Sequence, residues 1–467
     1  MGQGVGKRPP LVVGRGRIFL PSSAARQKNF RAQNPNPSNG PPPRGTKKMT
    51  TGAKDNSIFQ YKWMLVGLLW FAYFLNQGDR QIFNTVIPLI KEDLGLTDYD
   101  IGDIVMVFTA VYGVLVPVSG FLGDLVSRKW IVVWSLLIFS AGTLCTGFAG
   151  GMALLILFRS VATGGGEAFY FPAATSLLSQ LHSHTRATAL SIHQTSLYVG
   201  IIASGFISGY IGEHYGWRAA FYVFGSIGVL WAALCTFAMR NTPMPAPACG
   251  ETEKSEKVKF SKMFSAILKK QTFYCLAFAF ACQCFVNVGY NTWMPSYLHE
   301  KYEMSLSMAG LNSMLWHFAF AFFGVMIGGK LSDAFSEKFR QSRMWAEFLG
   351  LFLAVPFIFL CGYTDSFWVC CAAMAGFGFF RGVYDSNLFA ALFDVVEPRY
   401  RATASGLYLS FAFVMGSVAP KLMAYIKEIA GFSAGIMSLS AAFLLGSAFV
   451  AAAMLFFFNK NYCGENG

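Results

Sequence analysis

Ionisable residues stand inside long apolar stretches of this sequence, where a charge is costly. Five of them are Asp79, Arg80, Glu167, Arg381 and Asp385. Each charged group near the middle of a bilayer costs about 2.5–3.5 kcal/mol on insertion scales. Helix packing rarely retains so many, so we predict that they face a polar cavity. Arg381 and Asp385 could instead form a structural pair, because residues at i and i+4 share a helix face.

These groups could bind an anion and a proton together. The fork of an arginine takes a carboxylate through two hydrogen bonds, and we assign this role first to Arg80 and second to Arg381. Three acids accompany these two arginines, so the group carries one net negative charge when fully ionised. An added anion would increase this negative charge unless a carboxylate took up a proton. A carboxyl group in an apolar wall holds its proton more strongly. We predict Glu167 as the proton carrier, with Asp79 and Asp385 as further candidates.

Polar stripes on two apolar segments favour a wet path for a substrate. The first stripe recurs at spacings of four, three and four, which puts its members on one helix face: Tyr73, Gln77, Arg80 and Asn84. A second, shorter stripe holds Asn287, Tyr290 and Asn291, and Asn387 follows Asp385. We predict that these residues contact substrate, although hydrogen bonds between helices explain the asparagines about equally well.

The composition shows what kind of protein positions these groups. Of the 467 residues, 54% are hydrophobic and only 13% are charged, and the mean hydropathy is +0.44. A typical soluble domain is about 25% charged, so a soluble enzyme, a nucleic-acid binder and a disordered scaffold are excluded. Lipid is the solvent that tolerates this composition. We predict an all-α, multi-pass protein of the cell membrane, with a bacterial inner membrane favoured.

Twelve segments approach the roughly 20 apolar residues that a membrane-spanning helix needs. We predict a tail at 1–60, a six-helix bundle at 61–240, a cytosolic linker at 241–270, a second six-helix bundle at 271–460 and a tail at 461–467. Lysine and arginine in the short loops, from Arg128 to Arg401, lie on one side, which predicts cytosolic termini. Gly205 and Gly209 favour close contact between helices.

The first 48 residues differ from the rest. They contain ten Lys or Arg, eight Pro and no acid, a composition that cannot bury enough apolar area to fold. We predict a disordered tail or a natural start at Met49. Removing these ten bases lowers the net charge from +13 to +3, so the total charge is weak evidence for an anionic partner.

The two halves repeat weakly. Gly120-Phe-Leu-Gly-Asp124 is matched by Gly329-Lys-Leu-Ser-Asp333, and Arg186-Ala-Thr-Ala is matched by Arg401-Ala-Thr-Ala. The offsets, about 209 and 215 residues, keep nearly the same register. Two similar six-helix bodies around one site are what alternating access requires.

The motif from Gly120 to Asp124, followed by Ser-Arg-Lys, resembles the loop between helices 2 and 3 of the major facilitator superfamily. Arg159, then Gly-Gly-Gly-Glu ending at Glu167, and Pro172 resemble the fourth-helix pattern of its organic anion and sugar-acid symporters. The pair Asp79-Arg80 in helix 1 has the same relatives. The resemblance covers residues 60–460 and implies the fold of the major facilitator superfamily, with twelve transmembrane helices in two halves.

In those symporters the helix-1 arginine is assigned to the substrate carboxylate and the helix-4 glutamate to coupling, which implies these roles for Arg80 and Glu167. We therefore expect a proton-driven importer of a small anionic sugar derivative of the hexuronate, aldonate or sialic acid type. Protons are favoured over sodium as the coupling ion. We expect no cofactor, no metal, no nucleic acid, a lipid bilayer as surroundings and a monomer.

Two other functions stay open. Spinster-like transporters of lysolipids or sphingolipids also carry Asp-Arg in helix 1 and Gly-x-Gly-Glu in helix 4, and a transport-dead nutrient sensor is the second alternative. An enzyme is disfavoured, because no nucleophile–base set or phosphate-binding loop occurs in the sequence.

Four further charged residues are expected to act as a gate, because acids and bases at helix ends can pair in one conformation only and so bias the equilibrium between states. They are Asp124, Arg128, Arg159 and Asp333. The alternative is that they only fix topology and helix ends. His317 and His193 are interpreted as packing residues, with a proton relay less favoured. Lys421 is expected to extend towards the membrane interface.

Overall fold

Helices account for the membrane-crossing part of the chain, because backbone polar groups exposed to lipid must be satisfied within their own segment. The computed structural model describes residues 51–182, 185–241, 267, 269–336, 339–397 and 400–463, and none of these residues forms a strand. The predicted N-terminal tail up to residue 50 and most of the predicted linker lie outside these ranges. The all-helical prediction is confirmed.

The helices fall into two consecutive sets. The first set is α1 (Thr51–Leu94), α2 (Asp98–Leu125), α3 (Arg128–Thr146), α4 (Met152–Leu181), α5 (Arg186–Tyr215) and α6 (Trp217–Ala238). The second set is α7 (Gln271–Tyr302), α8 (Leu306–Ser336), α9 (Ser342–Tyr363), α10 (Phe367–Val395), α11 (Arg401–Gly416 with Ala419–Ala430) and α12 (Phe432–Asn461).

Within the described ranges, eleven helices are long and apolar enough to cross a membrane. The helix α1 is not among them. It carries the polar run from Asn76 to Asn84, which lowers its hydropathy although most of these residues are buried. It also begins at Thr51, inside the range predicted as a tail. The count of twelve spans and the cytosolic termini stay predictions.

The two sets repeat in their turns and in their packing. Gly216 ends α5 with φ 82° and Gly431 ends α11 with φ 88°, a left-handed conformation that glycine adopts without strain. The two positions differ by 215, the offset of the Arg-Ala-Thr-Ala motifs. In the first set α3 packs on α4 and α6, and in the second α9 packs on α10 and α12.

Contacts between the two sets run through α2 against α11 and through α5 against α8. Gly205 of α5 and Gly310 of α8 meet backbone to backbone. A Cβ atom added to Gly205 would lie 2.6 Å from the Gly310 carbonyl oxygen. Gly209 is as tightly packed, with the nitrogen of Ser307 2.5 Å from an added Cβ. The predicted close contact at these glycines is confirmed.

Candidate functional site

A polar cavity of about 260 Å³ lies between the two sets of helices. Helices α1, α2, α4 and α5 line it on one side, and α7, α8, α10 and α11 on the other. Most of its wall on the α1 side is polar. The polar lining residues are Tyr73, Gln77, Arg80, Gln81, Asn84, Thr109, Tyr112, Arg159, Asn287, Asn291, Thr292 and Arg381.

Seven of the nine residues predicted to bind substrate line this cavity: Tyr73, Gln77, Arg80, Asn84, Asn287, Asn291 and Arg381. The other two, Tyr290 and Asn387, do not. The hydroxyl group of Tyr290 donates to the Ser313 carbonyl oxygen at 2.7 Å. The amide of Asn387 donates to its own helix, at the Val383 carbonyl oxygen (3.3 Å) and Ser386 Oγ (2.9 Å). Both side chains form hydrogen bonds with the helices in this conformation, and their predicted contact with substrate stays a prediction.

Four ionisable side chains from α1 and α4 meet beside the cavity. Arg80 donates from Nε to Glu167 Oε2, and Arg159 donates from Nη2 to the Arg80 carbonyl oxygen at 3.4 Å. Asp79 is only 2% exposed, and Glu167 and Arg159 are close enough to act on its charge. Two carboxylates and two guanidinium groups thus form one buried cluster.

Arg159 reaches the cavity from an unusual turn. Residues Ile156–Thr163 of α4 are π-helical, and such widened turns often occur at functional sites. The guanidinium group of Arg159 lies 4.2 Å from the centre of the Phe108 ring, and that of Arg80 lies 4.3 Å from the Tyr112 ring. The sequence grouped Arg159 with the gating residues, whereas the structure places it in the cavity wall.

The second cluster belongs to α8 and α10. Arg381 lies 3.2 Å from Asp385, measured between Nε and Oδ2, and Asp385 accepts a hydrogen bond of 3.0 Å from Gln283. The Nη1 of Arg381 also contacts His317 Nε2 at 2.5 Å. Because arginine has donors only, His317 accepts at Nε2 and is neutral in this conformation. Its ring packs between Tyr290 and Phe377.

Counting the two clusters together changes the charge balance. The balance predicted from the sequence sets three acids against two arginines, because Arg159 is predicted to belong to the gate. With Arg159 in the cavity wall, Asp79, Glu167 and Asp385 face Arg80, Arg159 and Arg381. The ionised cavity is therefore neutral, and one added anion leaves a single uncompensated negative charge.

Pairs between the two sets of helices close the end of the molecule where α1 meets α2, here called the α1–α2 end. Lys421 of α11 pairs with Asp103 of α2 at 2.7 Å, and Lys427 pairs with Asp98 at 3.3 Å. Tyr99 donates to Glu428. Lys421 thus has a carboxylate of the other set as its partner, and its extension towards the membrane interface stays a prediction.

Glu213 of α5 adds a further contact across the same end. It accepts hydrogen bonds of 2.5 Å from the Leu306 amide and from Ser307 Oγ, at the start of α8. These groups lie beside the close approach of Gly209 to α8. Both inter-set helix pairs, α2 with α11 and α5 with α8, are thus fastened at the α1–α2 end.

The opposite end, where α2 meets α3, differs. Arg128 donates to Gln180 of its own set at 3.0 Å. Arg343 pairs with Asp394 at 2.6 Å and lies 3.9 Å from Asp333, all within the second set. The side chain of Asp124 lies outside the described residues. In the part of the chain that the structure describes, ion pairs between the sets occur at the α1–α2 end, and the gating role of Arg128 and Asp333 stays a prediction.

Comparison with known proteins identifies the family. A family model of the Major Facilitator Superfamily matches residues 69–420. The chain belongs to the Major Facilitator Superfamily. It is therefore a multi-pass membrane transporter and not an enzyme, which confirms the predictions of location and of general function.

Relatives within the superfamily include transporters of organic anions. The probable sulfoacetate transporter SauU of Cupriavidus necator is 26% identical over 382 residues, which is 79% of this chain and 88% of the relative. The hexuronate transporter of Bacillus subtilis is 27% identical over 405 residues, which is 83% of this chain and 92% of the relative. Bacterial relatives of this kind fit the predicted inner-membrane location.

A solved structure shows the same fold. A bacterial homologue of the human lysosomal transporter Spinster, in an inward-facing and unoccupied conformation, matches with a TM-score of 0.73. The identity is 22%, and the match covers 86% of this chain and 99% of the other.

Sequence reasoning missed several residues of this superfamily cavity, and some left a signal. Arg159 stands in an apolar segment like Glu167, so the cost of burying its charge marks it equally. Thr109 and Tyr112 recur at i and i+3 on α2 and line the cavity. The pair of Asp103 and Lys421 left no signal, because its members are 318 residues apart.

Proposed function

We propose that this superfamily member imports a small organic acid of the sugar-acid type together with a proton. The observation that carries the proposal is the contact of Arg80 with Glu167 at the cavity wall. The Arg80 side chain is 27% exposed, whereas that of Glu167 is 0% exposed. An anion in the cavity can therefore reach the arginine, but it cannot reach the glutamate except through the arginine.

Competition for Arg80 provides the coupling. When a substrate carboxylate takes the guanidinium fork, Glu167 loses its partner and becomes a buried charge without compensation, which is strongly unfavourable. Uptake of one proton by Glu167 removes that charge. Because the cavity is neutral when all six groups are ionised, one anion and one proton together leave it neutral. Asp79 and Asp385 are the alternative proton carriers.

The amide and hydroxyl groups of the cavity suit a polyhydroxylated acid. Asn291 donates to Asn287 at 3.1 Å, and its own Oδ1 is buried without a hydrogen-bond partner among the described residues. A substrate hydroxyl group could donate to this oxygen. Thr109, Thr292 and Asn84 add further partners around the same space.

The conformation fits the inward-open state of an alternating-access cycle. Basic loop residues such as Arg128, Arg186 and Arg343 lie at the α2–α3 end, which favours a cytosolic position for that end. The α1–α2 end is closed by the ion pair of Asp103 with Lys421 and by the hydrogen bond of Ser307 to Glu213. The similarly folded Spinster homologue is described as inward-facing.

Uptake by proteoliposomes tests the proposal. With an inward proton gradient, glucuronate, galacturonate, gluconate or sialic acid should accumulate, whereas glucose should not. Accumulation of glucose or of a lysolipid, with no anion transported, would contradict it. Transport of the lysolipid would favour the Spinster-like alternative, although the polar cavity wall argues against a lipid path.

The Glu167→Gln variant tests the coupling step. Because glutamine imitates the protonated acid, substrate counterflow should persist while gradient-driven accumulation is lost. Glu92→Gln, at an exposed position near the end of α1, is the matched control and should behave like the wild type. Equal loss of counterflow and accumulation would assign Glu167 a structural role, and accumulation driven by sodium alone would replace the proton.

A further inference from the structure

A buried carboxyl group outside the cavity has no role in the transport step described above. Glu347, five residues after the first residue of α9, is 0% exposed. Neither of its carboxyl oxygens has a hydrogen-bond partner among the described residues. An isolated ionised carboxylate in such a position costs several kcal/mol.

The surroundings of Glu347 come from four helices. Tyr384 of α10 and Tyr408 of α11 are close enough to Glu347 to feel its charge, and both are fully buried. Their hydroxyl groups also lack partners of good hydrogen-bond geometry. Cys284 of α7 lies beside Tyr408. Among the described residues, the charged group that acts on Glu347 is the carboxylate of Asp394.

The helices are closely packed one turn away from Glu347. Gly350, one turn after Glu347, lies so close to α10 that an added Cβ would be 2.8 Å from the Tyr384 nitrogen. Two arginines act on Asp394. Arg343 is paired with it at 2.6 Å, and Arg401 donates to the Phe393 carbonyl oxygen at 3.1 Å. The carboxylate of Asp394 also disfavours a second negative charge at Glu347. A proton is the remaining way to neutralise Glu347.

We propose that Glu347 is a second proton-binding site, occupied in this conformation and separate from the substrate cavity. Arg343 and Glu347 stand at i and i+4 on α9, so their side chains share one face. When Asp394 moves away from Arg343 in another state of the cycle, the guanidinium group can turn to Glu347. The carboxyl group then releases its proton to water at the α2–α3 end, and the carboxylate keeps the arginine as its partner.

Proton binding by the full chain in lipid nanodiscs, without substrate, tests the site independently of the transported anion. After a jump to alkaline pH, a pH-indicator dye should report about one proton fewer from Glu347→Gln than from the wild type. Infrared spectra should show the carbonyl stretch of a protonated carboxylic acid that Glu347→Gln lacks. Glu92→Gln is the control and should change neither the neutral-pH band nor the count above pH 7. Equal proton counts and equal spectra would overturn the proposal.

A second variant covers the case that Glu347→Gln does not fold. In Glu167→Gln labelled with carbon-13 in glutamate, the buried glutamic acid that remains should still give an isotope-shifted carbonyl band at neutral pH. Absence of that band would show that Glu347 is ionised and would overturn the site.

The exchange with Arg343 has its own readout. In Arg343→Gln the pH at which the Glu347 band disappears should rise by about one unit, because the alternative partner of the carboxylate is gone. An unchanged pH would exclude the exchange while leaving the proton site in place. Since none of these measurements uses a sugar acid, their failure and a failure of the proposed transport function are distinguishable.

Discussion

The two six-helix sets share turns and packing but distribute their charges differently. In the first set, Asp79, Arg80, Arg159 and Glu167 form one cluster at the cavity wall. In the second set the charges are split: Arg381 and Asp385 lie at the cavity, and Glu347 lies apart from it. One repeat thus concentrates its ionisable groups on the substrate side, whereas the other keeps one for a separate role.

The repeat also shows how the same position acquires different chemistry. The offset of 215 between Arg186 and Arg401 relates Tyr408 to His193. In the first set His193 lies 3.4 Å from the Tyr170 hydroxyl, which donates to the Leu69 carbonyl oxygen at 2.6 Å. The hydroxyl group of Tyr170 and the ring of His193 therefore both have hydrogen-bond partners. In the second set Tyr408 is close enough to Glu347 to feel its charge instead, so the repeated position has different neighbours in the two sets.

Removal of Arg80 should have the largest effect on substrate binding. A hydrogen bond to a charged group contributes about 1.5–3 kcal/mol, so Arg80→Gln should weaken binding of a sugar acid by about 100-fold. Arg218→Gln, at an exposed pair with Asp93 in the same set, is the control and should bind normally. Binding can be measured with radiolabelled glucuronate on the purified transporter.

The folding of Arg80→Gln needs a second variant, because Glu167 would be left as an unpaired buried charge. The double variant with Glu167→Gln removes that charge and should restore the melting temperature without restoring affinity. Near-normal affinity in either protein would show that the first set does not hold the substrate carboxylate.

Removal of Arg381 should have a smaller effect. Its donors are already engaged by His317 and Asp385, so it has less to offer a substrate than Arg80. We expect Arg381→Gln to weaken binding of the same acid by about tenfold, the equivalent of roughly 1.4 kcal/mol. A loss larger than that of Arg80→Gln would reverse the comparison and assign the carboxylate to the second set.

Much of this contrast could be predicted from the sequence. The cost of burying charge marks Asp79, Arg80 and Glu167, and the helical period puts Gln77 and Asn84 on the face of Arg80 that lines the cavity. These signals are local and follow from the bilayer as solvent. The predicted roles of these residues remain to be tested by the variants above.

Other features could not be predicted, because they depend on contacts remote in sequence or on local helix geometry. The π-helical turn that contains Arg159 has no recognisable residue pattern. Glu347 stands four residues after Arg343, a spacing that predicts an ordinary i, i+4 ion pair near the start of a helix. The structure shows that this arginine turns to Asp394 instead.

The contacts that join the two sets should respond moderately to mutation. The pair of Asp103 and Lys421 is partly exposed, and such pairs contribute up to about 1 kcal/mol. Lys421→Gln should therefore shift the equilibrium towards the state open at the α1–α2 end by about two- to fivefold. Spin-label distances across that end measure the shift. The double exchange Asp103→Lys with Lys421→Asp should reverse it, and no shift in the single variant would show that the pair is not a gate.

The smallest effect should distinguish two asparagines that the sequence treated alike. Asn291 lines the cavity and has a buried oxygen without a partner, whereas Asn387 is satisfied within α10. A neutral hydrogen bond contributes about 0.5–1.5 kcal/mol, so Asn291→Ala should weaken glucuronate binding by about two- to tenfold. The affinity for an acid without hydroxyl groups should not change. Asn387→Ala should lower the melting temperature instead and leave affinity unchanged. If both variants lost affinity equally, substrate would reach deeper into the second set than the cavity of this conformation extends.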